Sequence, residues 1–369
     1  MDQLYTGKLE KIEKTLERWL PGSPDQEWMA EVFPGLEDQP AARLAQTLLA
    51  PGRDLFSRGG KRWRPLLMTL VCEALGGGDT ALPLTPLVEL CHNASLIHDD
   101  IEDNSDERRG KPAVHIVYGV DAAINSGSFL YFLPLACIDS WAAELESGMG
   151  FSYAAAQACR AQVYALWAQS LRKLHLGQAI DIHWHRNFDI IPAIEDYYTM
   201  CKLKTGCLSR FAAELGTTAA ELTGIAAGPA DSDFDPLKQL GEAAEKLGVG
   251  YQILDDVKNL TTGLPGKKRG DDIVEGKKSL PVLLFLNRLP EQKETVQRCF
   301  RAARSGGAGA NEVEELIQAF SSAGVLAEAG ERGKALIAEA RDAFTGIERA
   351  FRVSVNESGL LSGLIDQIT

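Results

Sequence analysis

Asp99, Asp100 and Asp103 place three carboxylates close together in the chain, and Asp255, Asp256 and Asn259 repeat the same spacing far downstream. Residues three and four apart share a helix face, so each group falls within about a 100° arc. Hard oxygens grouped in this way suit Mg²⁺, which takes one or two protein oxygens and fills its octahedron with substrate phosphate and water. A lone copy would read as a solvated, charged helix end. Two copies at matched spacing, both after apolar runs, read as metal sites that need an anionic substrate.

Cations lie around the acids. Gly59-Gly60-Lys61-Arg62-Trp63-Arg64-Pro65 puts three cations in four residues after a flexible glycine pair, and Arg108 and Arg109 follow the first acidic group. Guanidinium forks match phosphate oxygens two at a time, and lysine adds a mobile point charge. Such groups could hold two diphosphates, one through metals and one directly. His92 lies seven residues before Asp99, within about 20° of the same face and two turns deeper. It reads either as a satisfied core histidine or as a donor to phosphate. Lys204-Thr205-Gly206, Gln178 and Asp181 add polar groups on other helices, while the run from Gly266 to Asp272 reads alone as an exposed basic turn. His183 and His185 are two apart, which splays their rings on a helix and argues against zinc.

The elements that must position these groups are helical. Leu9, Ile12, Leu16 and Leu20 recur at helical spacing, as do Leu240, Ala243, Ala244 and Leu247. Breaks rich in Gly, Pro, Ser or Asp fall at 21–24, 76–79, 228–236, 263–270 and 306–310. No hairpin signal between alternating strands and no repeat of 20 to 50 residues is evident. The expectation is an all-α protein of about ten or more helices. One helix should start at Thr85 as N-cap with Pro86 at its first position, and carry Leu87, Leu90, Ala94 and Ile97 into the acids. Acids at a helix C-terminus oppose its dipole by roughly 0.3–1 kcal/mol per site, so a positive group should compensate.

The 369 residues, 45% hydrophobic and 24% charged, suffice for a large core. A net charge of -13 argues against non-specific nucleic-acid binding. Seven scattered cysteines, an odd number, predict reduced thiols and a cytoplasmic protein. Met1 to Leu20 lacks the pattern of a secretion signal. The apolar run from Phe129 to Ile138 contains a proline and is far short of the roughly 20 residues that cross a bilayer, so no transmembrane segment is expected.

Together these residues resemble the trans-polyprenyl diphosphate synthase family, which includes the farnesyl and geranylgeranyl diphosphate synthases. The resemblance runs from about Phe56 to Pro281. It rests on GGKRWRP, on HNASLIHDDIEDNSDERRGKPAVH from His92, on GQAID at Gly177, on KTG at Lys204, and on YQILDDVKNL through GDDIVEGKKSLPV. It implies the isoprenoid synthase type I fold, one large helical bundle around a central cavity. The whole chain, 1–369, would be one synthase domain, with a helical extension over 1–52, a catalytic core over 53–288 and further helices over 289–369. A homodimer is also implied.

The resemblance further implies that Asp99, Asp100, Asp103, Asp255 and Asp256 bind Mg²⁺, three ions per site, bridging an allylic diphosphate. Arg108, Lys204 and Lys267 would contact that diphosphate, and Lys61, Arg64, His92 and Arg109 would hold isopentenyl diphosphate. Thr205 and Gln252 would lie beside the ionising carbon. Asn259 departs from the aspartate of many members and supplies a carbonyl oxygen without charge. Bulky aromatics at the positions of Ala94 and Ser95 close the family's pocket at short products, so small side chains here predict geranylgeranyl length or longer. The rivals are a farnesyl diphosphate synthase, a non-catalytic subunit of a heteromeric synthase, and a class I terpene cyclase, which would need no second diphosphate site.

Overall fold

Apolar residues at helical spacing become buried stripes. In α1 (Asp2–Trp19) Ile12 and Leu16 are buried, as is Leu20 just beyond it. The computed structural model describes residues 2–36, 39–222, 235–263, 268–351 and 359–368. Helices follow in the order α2 (Gln26–Val32), α3 (Gln39–Ser57), α4 (Trp63–Ala74), α5 (Thr85–Glu102), α6 (Val114–Tyr118), α7 (Val120–Phe132), α8 (Leu135–Ser147) and α9 (Tyr153–Arg186). Then come α10 (Ile194–Cys201), α11 (Cys207–Glu221), α12 (Pro236–Thr261), α13 (Asp271–Glu275), α14 (Leu280–Arg288), α15 (Lys293–Gly306), α16 (Asn311–Ser322), α17 (Val325–Ala350) and α18 (Leu360–Ile368). The all-α expectation and its helix number are met.

The helices form two compact units. The first comprises Met1–Ser170, Arg210–Gly241 and Ala343–Ile368. Its core is built from α4, α5 and α11, with Leu67, Val71, Leu87, Leu90, Phe211 and Leu215 fully buried. Gly216 lets α11 approach α4 closely, because a Cβ there would meet the Met68 carbonyl oxygen at 2.3 Å. The second unit comprises Leu171–Ser209 and Glu242–Asp342, and packs Tyr197, Ile253, Leu280, Phe285, Phe300 and Phe320 together.

Two expectations need correction. Thr85 is not a cap: it is already helical and its hydroxyl donates to the Leu82 carbonyl, continuing a short 3-10 turn into α5. A hairpin does exist, pairing β1 (Glu107–Arg108) antiparallel with β2 (Lys111–Pro112). Arg109 and Gly110 both have positive φ, 55° and 71°, the type I′ turn that suits a two-residue hairpin. Strands of two residues leave no alternation to read. Finally, α7 and α8 run nearly end to end, and Val120–Ser147 is long and apolar enough to cross a membrane by length and composition alone. Half of its 18-residue apolar window is buried inside the protein, as in core helices, so the expectation of no membrane span is not contradicted.

Candidate active site

In the first unit, α5 delivers the first acidic group at its C-terminal end. Asp100 is fully buried, Asp99 and Asp103 half-buried, and the Asp103 N–H closes the last turn on the Asp99 carbonyl. The compensating cation is Arg108. The hairpin turns it back so that Nε and Nη2 reach Asp100 Oδ1 at 2.8 and 2.5 Å, with Nη2 3.6 Å from Asp99 Oδ2. Burial weakens the Arg108 charge, but Asp100 and Asp99 more than restore it and raise its pKa. Arg58 anchors the hairpin by donating to the carbonyls of Arg108 and Pro112.

A second group, rich in cations, surrounds the start of α4. Arg62 precedes that helix in the left-handed region at φ 47° and is buried. Its guanidinium donates to Glu89 on α5 (2.8 Å), to Glu13 on α1 (2.7 Å) and to the Phe56 carbonyl, and lies over the Phe56 ring. A strained backbone held by this many partners fixes its neighbours. Arg64 Nη1 lies 3.4 Å from His92 Nε2. A guanidinium only donates, so Nε2 is the acceptor. Burial first, then Arg64 and Arg109, push the His92 pKa well below the usual value, leaving a neutral ring among cations. Arg109 donates to the Leu55 and Gly59 carbonyls, and burial lowers its pKa to about 10. Lys61 is exposed and donates to the Ile368 carbonyl of α18 at 2.8 Å.

Deeper on α5, Ala94 is fully buried, and the Ser95 hydroxyl bonds to the His92 carbonyl of its own helix. That internal bond satisfies the Ser95 hydroxyl within its own helix, and both side chains are small.

The second unit holds the other group. A π-helical turn over Lys202–Gly206 carries Lys204 and Thr205, a distortion common at functional sites. Gly177 explains the glycine of GQAID: a Cβ there would meet the Lys204 backbone nitrogen at 2.3 Å. This close approach pairs Lys204 Nζ with Asp181 at 2.5 Å. Burial pushes the Asp181 carboxyl up, but Lys204 and Lys277 pull it below the ordinary value. Gly248 on α12 packs likewise on the Cα of Gly206, at 2.9 Å from a notional Cβ. Thr205 then donates to Gln252 Oε1 (2.9 Å), Gln252 Nε2 donates to Asp256 Oδ1 (2.8 Å), and the Tyr197 hydroxyl donates to Asp256 Oδ2 (2.8 Å). Asp256 is buried, which raises its pKa to about 6 against the lowering pull of these two bonds and Lys277. Asp255 beside it is half-buried.

Asn259 is turned elsewhere. Its Oδ1 accepts the Asp272 N–H at 3.2 Å, tying α12 to the start of α13. Lys267 lies outside the described residues. Lys277, to which no role was given, proves to be part of the group: it pairs with Glu275 at 2.5 Å and acts electrostatically on both Asp181 and Asp256. Its signal was present in GKKSLP but carries no spacing rule. Tyr197 was missed for the same reason, and Arg62, one of the three cations of GGKRWRP, proves to be held by carboxylates. His183 is exposed and His185 buried, as rings splayed apart would be.

Among the described residues no three His, Cys, Asp or Glu side chains close a metal shell by themselves. Hard oxygen donors in open groups of this kind fit Mg²⁺ shared with a diphosphate and water, and do not fit a structural zinc. Arg108, seated on Asp100 and near Asp99, marks the place where positive charge is wanted.

The polyprenyl synthetase family model matches residues 45–320. The chain belongs to this family. It is a prenyltransferase, and every candidate site residue from Lys61 to Lys277 falls within the matched span. A geranylfarnesyl diphosphate synthase of Aeropyrum pernix is 32% identical over 85% of this chain and 91% of its own length. A short chain isoprenyl diphosphate synthase of Methanocaldococcus jannaschii is 35% identical over 72% and 74%. The geranylgeranyl pyrophosphate synthetase structure from Pyrococcus horikoshii superposes with a TM-score of 0.73 at 27% identity, over 98% of this chain and 95% of that one. A polyprenyl synthase from Caulobacter crescentus, complexed with calcium and isoprenyl diphosphate, shares the fold at TM-score 0.71 and 21% identity, over 99% of this chain and 94% of that one.

Proposed function

We propose that this polyprenyl synthetase joins isopentenyl diphosphate head to tail to an allylic diphosphate, giving a linear product of geranylgeranyl length or longer. The observation that carries this is the presence in one unit of two different anion sites. One is acidic and suited to metal, at Asp99, Asp100 and Asp103. The other is rich in cations, around Arg64, Arg109 and neutral His92. A cyclase has one diphosphate to hold; a synthase has two.

Mg²⁺, three ions by family resemblance, would when bound supply neutralisation of the charge that builds on the departing diphosphate. Asp99, Asp100, Asp103, Asp255 and Asp256 are the groups that would hold it. Arg108, Lys204 and Lys267 contact the allylic diphosphate, with Arg108 exchanging a carboxylate for phosphate oxygen. Lys61, Arg64, His92 and Arg109 orient isopentenyl diphosphate so that its alkene meets the allylic carbon, and this proximity supplies much of the rate. Thr205 and Gln252 flank the carbon while it is cationic, their oxygens turned by the Thr205–Gln252–Asp256 bonds. The proton lost after coupling passes to the departing diphosphate, so no side chain need act as a nucleophile.

The rest of the reading follows the same family. One catalytic domain spans the chain, and two copies pair. Exposed Ile116, Val117, Val120 and Ile124 on α6 and α7 support pairing, since contiguous apolar surface marks an interface. Seven unbridged, buried cysteines support a cytoplasmic setting. Lys61→Ala tests the two-diphosphate claim: KM for isopentenyl diphosphate should rise about tenfold, as for a lost charged contact, with KM for the allylic partner unchanged. Equal changes in both would remove the claim.

A further inference from the structure

Lys278 is almost fully buried, at 2% exposure, yet among the described residues no carboxylate lies within ion-pair distance of it. Burying an ammonium without a counter-charge is costly, so its partners need an account. Lys278 Nζ donates to the carbonyls of Trp184 (3.2 Å) and Gly276 (2.8 Å). The first belongs to the C-terminal turn of α9, the second to the turn that ends α13. Arg304 of α15 makes the parallel pair of bonds one residue along, to the carbonyls of His185 (2.8 Å) and Glu275.

Aromatic rings fill the space between the two cations. Phe188 lies 5.5 Å from Lys278 Nζ and 4.4 Å from Arg304 Cζ, and Phe300 lies 4.9 Å from Lys278 Nζ. Both cations therefore answer the negative ends of two helices and the faces of two rings. Gly276 makes the approach possible, since at φ +76° it is left-handed and a Cβ would strike Phe188 at 2.4 Å. Burial also weakens the Lys278 charge, to a pKa of about 8.

The clamped segments are those that carry the cationic end of the second acidic group. α9 bears Asp181 one turn before Trp184, and Lys277 stands in the chain between Gly276, whose carbonyl Lys278 holds, and Lys278 itself. We propose that Lys278 and Arg304 are positioning residues for the allylic diphosphate: they lock the end of α9 to the Glu275–Lys278 turn, so that Lys277 is held beside Asp181 and Asp256. This rests on the proposed synthase reading.

The test uses the full chain, once the wild type has been shown to elongate an allylic starter; failure at that step would concern the synthase reading and not the clamp. Lys278→Met, Arg304→Gln, Arg304→Lys, Lys277→Ala and the Lys277→Ala/Lys278→Met pair are compared. Lys278→Met and Arg304→Gln should raise KM for the allylic diphosphate about tenfold, leave KM for isopentenyl diphosphate unchanged, and in the Lys277→Ala background Lys278→Met should add nothing. Arg304→Lys should recover most of the loss. Equal change in both KM values, a multiplied loss in the double variant, or a lowered Tm with no change in allylic KM would overturn the proposal. If Lys278→Met fails to fold, the Arg304 pair decides, since Arg304 is exposed and its loss leaves the core intact.

Discussion

Arg108 and Asp100 are joined through two guanidinium nitrogens, at 2.8 and 2.5 Å, where the C-terminal end of α5 is most negative. Asp100 is fully buried, so removing its partner leaves an uncompensated charge. Arg108→Met should destabilise the chain by about 3 kcal/mol in the presence of a chelator. Mg²⁺ should restore part of that loss, because the ion replaces the missing positive charge. Thermal denaturation with and without Mg²⁺ measures both, and a metal-independent loss would separate Arg108 from the metal group.

Asn259 spends its carbonyl oxygen on the Asp272 N–H, and its buried Nδ2 has no hydrogen-bond partner among the described residues. Asn259→Asp therefore keeps the useful acceptor, at a helix start where negative charge is favoured. Asn259→Ala abandons a buried N–H and should cost about 1–3 kcal/mol. Urea denaturation should rank wild type and Asn259→Asp together above Asn259→Ala. The reverse order of the two variants would mean that the Asp272 bond is unimportant.

His185 predicts an acid weakness. Burial, opposed by Asp181, lowers its pKa from 6.5 to about 4. The unfolded chain therefore takes up this proton first as pH falls. Stability from this residue is whole above pH 6.5 and drains away as pH drops toward about 4. Replacing it by Gln should flatten the dependence over that window relative to wild type, followed by urea unfolding at fixed pH values. Parallel curves for the two proteins would assign the acid sensitivity to other groups.

The helices and the two acidic groups were legible because their information is local. The stripe of Ile12 and Leu16 and the spacing of Asp99 to Asp103 need only the helical period. The charge argument even required a cation at the end of α5, although it did not identify Arg108 as that cation. What stayed hidden depends on contact between distant segments. Gly177 was noticed in GQAID, yet its reason is the backbone of Lys204, 27 residues on. Lys277 was quoted in a motif and left without a role, since its neighbours Asp181 and Asp256 come from other helices. Asn259 was read as a weakened metal ligand, while its oxygen faces α13. The Arg109-Gly110 turn was invisible because its strands are too short to show a period.

The most direct measurement is incubation of the purified protein with Mg²⁺, labelled isopentenyl diphosphate and, separately, each allylic diphosphate from five to twenty carbons, with chromatography of the products. Linear diphosphates reaching geranylgeranyl length or beyond are predicted, with small Ala94 and Ser95 leaving the chain room to grow. Growth that stops at fifteen carbons would contradict the product length. No incorporation from any starter, or release of a cyclic hydrocarbon, would contradict the synthase itself.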